Sequence, residues 1–178
     1  VEQFGNLLPP ATNRVNIHDV LDRARKSAAL GFANRMRLVA DYDPSLPPVP
    51  GDADQLLQVF LNLLKNAAEA SGNQGGTIRV RTFYDQTLRI RRKDGGVAAL
   101  PLNVEVVDDG PGIPVEIADN IFDPFVSGRE NGTGLGLALV AKIIADHGGW
   151  ISVQSAPGRS AFRISLPVIR DTHPRPEI

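Results

Sequence analysis

Apolar residues recur at three- and four-residue steps in three stretches of the chain and alternate with polar ones in several shorter stretches. The first helical pattern, Ile17, Val20, Leu21, Ala24 and Ala28, predicts an amphipathic helix that Asn16 caps and Gly31 closes. The second is the strongest. Asp52 followed by Gln55 resembles a capping box, and Leu56, Leu57, Val59, Phe60, Leu63, Leu64, Ala67 and Ala70 supply a broad apolar face. Gly72, Gly75 and Gly76 end it. A third helix is predicted over 137–147, stopped by Gly148-Gly149. Alternation predicts strands over 36–41, 77–84, 102–107, 150–154 and 161–166, and Asp94-Gly95-Gly96 predicts a hairpin turn.

Residues 1–15 read as an entry linker, 16–168 as one domain and 169–178 as a frayed tail. The proline-rich stretch 43–51 reads as an extended connection, because proline supplies no amide donor. Helices and antiparallel-looking strands mix without regular βαβ alternation. The expected class is therefore α+β, a two-layer sandwich rather than a doubly wound sheet.

Composition narrows the chemistry. The 178 residues carry a net charge of −1, so nothing suggests a nucleic-acid binder, which would show a basic excess. The absence of cysteine excludes disulfides, thiolate metal sites and a thiol nucleophile. No apolar run reaches the roughly 18 residues of a membrane span, and no signal peptide is evident at the start. The expectation is a cytoplasmic domain without membrane contact. A chain beginning at Val1 without methionine is expected to be a piece of a longer one.

Three constellations carry candidate chemistry. Asn62 and Asn66 lie one turn apart on the second helix, on a face otherwise occupied by Val59, Leu63, Ala67 and Ala70. An unpartnered buried amide costs on the order of 1–3 kcal/mol. The pair is therefore either two satisfied core amides or two neutral oxygen ligands facing a hard cation or a polyphosphate. Asp108-Asp109-Gly110-Pro111-Gly112-Ile113 follows a strand, where glycines permit a sharp turn and close approach of a planar ligand. A carboxylate there can accept from an exocyclic amine, or the run is an ordinary strand-terminal turn. Gly132-Thr133-Gly134-Leu135-Gly136-Leu137 opens a helix, where backbone amides can face phosphate, or it is simply a glycine-rich loop. Its spacing matches neither the P-loop nor the dinucleotide fingerprint.

Order and spacing decide what each signal alone leaves open. The run Gln58-Val59-Phe60-Leu61-Asn62-Leu63-Leu64-Lys65-Asn66-Ala67 resembles the N box of sensor histidine kinases, and Asp108 through Ile113 resembles their first glycine box. Ile121-Phe122-Asp123-Pro124-Phe125 resembles the phenylalanine box, Gly132 through Leu137 the second glycine box, and Ser160-Ala161-Phe162 the closing T-x-F segment with serine for threonine. Phe125-Val126-Ser127-Gly128-Arg129-Glu130-Asn131-Gly132-Thr133 and Asp41-Tyr42-Asp43-Pro44-Ser45-Leu46-Pro47 are similar to the nitrogen-regulation branch, the NtrB type.

The resemblance implies a mixed, mostly antiparallel sheet packed on three helices, with a mobile lid over ATP. It implies that Asn66, supported by Asn62, binds Mg²⁺, and that Asp108 accepts from the adenine amino group. Gly110, Gly112 and Ile113 would let the base approach, and Ser160 would support Asp108 through a water. Gly132, Thr133, Gly134, Leu135, Gly136 and Leu137 would close over the triphosphate, with Arg129 in the lid offsetting its charge. Hydrolytic relatives carry a glutamate where this chain has Asn62, and a neutral amide cannot act as a general base. Slow hydrolysis is therefore expected, with the γ-phosphate passing to a histidine elsewhere. His18, His147 and His173 do not match the family's phosphoacceptor motif.

The implied partners are the kinase's own dimerisation and phosphoacceptor domain, an NtrC-type response regulator and a PII-type signalling protein. An anti-sigma serine kinase and a domain used only for protein contacts are the competing readings. The basic stretch 89–93 reads as a solvated hairpin face.

Overall fold

The computed structural model describes residues 12–72, 75–123 and 136–170. Strand β1 (Asn13–Val15) precedes helix α1 (Ile17–Leu30), then β2 (Met36–Asp41) and β3 (Val49–Gly51). Helix α2 (Ala53–Ala70) leads into β4 (Gly76–Tyr84), the hairpin β5 (Arg89–Arg91) and β6 (Val97–Ala99), and β7 (Leu102–Asp108). A short 3₁₀ turn (Ala118–Asn120), helix α3 (Gly136–Asp146), β8 (Trp150–Ala156) and β9 (Arg159–Leu166) complete the described chain.

The main sheet has five strands in the order β2-β4-β7-β9-β8. Only β2 and β4 run parallel; the other neighbours are antiparallel. One face carries Ile78, Val80, Val104, Val106, Phe162 and Ile164, all buried against the helical layer. Along that layer α2 is central, packing on α1, α3, β4 and β7. Its central place follows from its sequence: Leu56, Val59, Phe60 and Leu63 are fully buried, and Asp52 Oδ1 accepts from the amides of Asp54 and Gln55 to start the helix. Asn16 caps α1 by accepting from the His18 amide at 3.0 Å.

The structure refines the sequence reading at two places. Asn13–Val15, read as the end of a linker, pairs antiparallel with Val49–Gly51, read as an extended connection. Pro50 is tolerated because this ribbon has only two strands, so its missing donor breaks no second ladder. Val15 and Val49 are both buried, which gives the ribbon its anchor.

The outer face of the sheet is polar. Asn103, fully buried, accepts from Arg163 Nε at 2.9 Å and from the Ser165 hydroxyl at 2.6 Å, and Arg163 also pairs with Asp85 at 3.2 Å. A cleft of about 230 Å³ opens there between Leu88 and Trp150, and none of the predicted site residues lines it.

Candidate nucleotide site

Asp108, Gly110, Gly112, Ile113 and Ser160 lie at one end of the sandwich, where β7 ends and its following turn meets the end of α2. Asp108 is the last residue of β7 and only 2% exposed. Its Oδ1 accepts from the Gly110 amide at 3.0 Å. Burial pushes the carboxyl above its ordinary value of 3.8; the Gly110 bond opposes this, and the neighbouring Asp109 charge adds to it. Asp109 points the other way, its Oδ2 accepting from Thr77 N at 3.0 Å, and ties the turn to the start of β4.

The two glycines are required by contact. A Cβ on Gly110 would stand 2.9 Å from Asp108 Oδ1 and 3.0 Å from the Ala70 carbonyl oxygen. The turn thus lies directly on the last residue of α2. Gly112 has φ +92°, and a Cβ there would come within 2.7 Å of the Ala156 carbonyl oxygen at the end of β8. Ile113 then donates its amide to Ser155 Oγ at 2.7 Å. Ser160 is buried directly opposite Asp108 in the β7–β9 register.

Asn62 and Asn66 flank the apolar stripe of α2 and are half-buried, while Val59, Leu63 and Ala67 beside them are buried. Both positions therefore reach the edge of the helical layer. Gly136, the first residue of α3, faces Asn62: a Cβ on it would lie 3.7 Å from Asn62 Oδ1. Leu137, next in that turn, and Ile113 both pack against the core. Gly136 therefore marks one end of the site and Gly110, at Ala70, the other. The eight residue steps of α2 from Asn62 to Ala70 separate them by about 12 Å along the helix axis.

Phe122 meets Phe162 edge-on, with ring centroids 6.2 Å apart, so the start of the phenylalanine box is seated under β9. Pro124, Phe125, Arg129, Gly132, Thr133, Gly134 and Leu135 lie outside the described residues. Among the described residues no group of three His, Cys, Asp or Glu side chains forms a metal cage. The donor set nearest the predicted phosphate end is instead two neutral amides. Such a set suits Mg²⁺ when phosphate oxygens supply the negative charge.

Sequence reasoning missed Ser155. The signal was present, since β8 alternates Ile151 and Val153 toward the helices, and a serine two residues on falls in the same inward row.

A five-stranded, mostly antiparallel sheet packed on three helices is the architecture of the ATP-binding sandwich of the kinase and gyrase kind. Residues 51–170 match the family model of histidine kinase-, DNA gyrase B- and HSP90-like ATPases, and the chain belongs to that family. It is 74% identical over 168 residues to the sensory histidine kinase/phosphatase NtrB of Rhodobacter capsulatus, covering 94% of this chain and 47% of that protein. It is 50% identical to NtrB of Azospirillum brasilense, over 94% of this chain and 42% of the relative. The chain thus spans about half the length of these curated relatives.

Among solved structures, the mycobacterial sensor histidine kinase MprB superposes with a TM-score of 0.71 at 27% identity, over 88% of this chain and 97% of that one. The catalytic domain of the histidine kinase ThkA gives 0.71 at 26% identity, over 88% and 95%. The fold is therefore that of histidine kinase catalytic domains, and the likeness to NtrB runs through nearly the whole chain.

Proposed function

We propose that this domain binds Mg·ATP and presents its γ-phosphate to a histidine on a separate domain of a two-component sensor kinase of nitrogen regulation. The observation that carries the reading is the buried Asp108 carboxylate at the end of β7, with Ser160 opposite and a glycine turn holding the backbone back. An acceptor-only group in that setting selects a ligand edge that donates, such as an exocyclic amine. The roughly 12 Å along α2 between Asn62, which Gly136 approaches, and Ala70, on which Gly110 lies, suits a ligand with a base at one end and phosphates at the other.

At the phosphate end, Asn66 and Asn62 would hold Mg²⁺, and the first turn of α3 offers its amides to phosphate oxygens. The ion, when bound, supplies charge neutralisation for phosphoryl transfer, and positioning supplies most of the rest. Arg129 and the glycines 132 and 134 would complete the phosphate side, as the family pattern implies. Asn62 cannot take a proton from water, so the bound nucleotide is hydrolysed slowly and persists for transfer.

The two histidines among the described residues, His18 and His147, are unsuited as acceptors. His18 is stacked on Tyr42 with Nε2 2.8 Å from Thr82 Oγ1, and buried His147 is bonded through both ring nitrogens. The acceptor would belong to the kinase's dimerisation domain, with an NtrC-type response regulator downstream, a PII-type protein as regulator and the cytoplasm as the setting. Among the described residues no helix is long and apolar enough to cross a membrane.

The test is transfer in trans. With γ-labelled ATP the isolated chain stays unlabelled, and label appears on an added NtrB dimerisation domain. Label on this chain, or none on the added domain despite nucleotide binding, contradicts the proposal.

A further inference from the structure

Three polar side chains line up across the sheet where the glycine turn leaves it. Ser155 on β8 is opposite Ser160 on β9, and Ser160 is opposite Asp108 on β7. The rest of that inward row is apolar, with Val153, Phe162 and Val106 next along the same strands. Ser155 Oγ accepts from the Ile113 amide at 2.7 Å and lies 3.1 Å from Ser160 Oγ.

Each hydroxyl has one proton to give. Ser155 spends a lone pair on Ile113, and its own proton is available to Ser160. In the reverse arrangement Ser160 would donate to Ser155 and turn only lone pairs toward the neighbouring carboxylate. An ionised Asp108 disfavours that and selects the directed row: Ile113 N–H to Ser155, Ser155 O–H to Ser160, Ser160 O–H toward Asp108. Facing side chains on paired strands stand about 4.5–5.5 Å apart at Cβ. Ser160 and Asp108 share no direct hydrogen bond among the described contacts, and one bridging water spans such a gap.

We propose that Ser155 is a positioning residue for adenine recognition, fixing the Ile113 turn and aiming the Ser160 proton toward Asp108. The inference rests on the nucleotide reading above and adds to it the residue that sets the polarity of the site. With one side of Asp108 supplied with a proton, the side facing the ligand is held as an acceptor for the adenine amino group. A purine bearing no group that donates at that position gains nothing from it.

The test compares binding of Mg·ATP with Mg·purine riboside triphosphate, which lacks the amino group. Wild type prefers ATP, and Ser155→Ala narrows that preference by about threefold to tenfold, the size of a hydrogen-bond contribution. Ser155→Thr keeps a hydroxyl and restores it. Ser155 is exposed, so the variants retain the fold, which thermal unfolding checks. A merely loosened turn would weaken both nucleotides equally and leave the ratio unchanged, and that result overturns the role. A preference abolished in Asp108→Ala but intact in Ser155→Ala overturns Ser155's role alone. Failure of wild type to bind ATP overturns the nucleotide reading, and this inference with it.

Discussion

Asp108 shows how burial can hold a single residue in a state that works against stability. Burial raises its carboxyl, so its contribution to stability is fully present below the unfolded value of 3.8 and is lost as pH rises through the folded value. At neutral pH the buried charge therefore opposes folding. Asp108→Asn removes that charge and keeps an oxygen for the Gly110 amide. The nucleotide-free domain should melt about 2–4 °C higher, while adenine binding is lost; a lower melting temperature would contradict this. His18 gives the opposite pH dependence. Burial lowers it below 6.5, more than Asp22, Asp43 and Asp19 raise it. Its contribution is complete above pH 6.5 and disappears as pH falls through the lowered folded value. His18→Gln should flatten the acid side of the stability profile, measured by urea unfolding between pH 5 and 8; an unchanged slope would sink this account.

At the scale of elements, most of the fold was legible because periodicity reports directly on burial. The second helix was read from its apolar stripe and its cap at Asp52, and both are present. The β1–β3 ribbon was not legible, since three-residue strands carry no period and Pro50 argued against pairing. The candidate site was legible in its residues and not in its joints. Spacing placed Asp108 and Ser160 in separate motifs, but only the register shows that they face each other. His147 is the last residue of the helix predicted over 137–147. It stands at the end of α3 and also joins two helices, its Nδ1 bonding the Ile143 carbonyl at 2.8 Å and its Nε2 accepting from Asp52 N at 3.1 Å. His147→Ala should cost about 1–3 kcal/mol in chemical denaturation, because it strands a partly buried amide at the start of α2. A loss below about 0.5 kcal/mol would show the joint to be unimportant. Gly110→Ala should likewise destabilise by about 1–3 kcal/mol, since its Cβ would press on the backbone of Ala70.

For the whole molecule, one end of a two-layer sandwich collects an acceptor, a glycine turn and paired amides, while the other face of the sheet stays polar and separate. The chain corresponds to 47% of the length of its Rhodobacter relative. The measurement that tests the central claim most directly is calorimetric titration of the domain with ATP, with and without Mg²⁺, alongside Asp108→Ala and Asn66→Ala. The account predicts Mg²⁺-dependent binding by wild type. It predicts a loss of about tenfold or more in Asp108→Ala, as expected for a bond to a charged group, and a loss of the Mg²⁺ dependence in Asn66→Ala. A folded wild-type domain that binds no ATP, or an Asp108→Ala variant that binds as tightly as wild type, would contradict it.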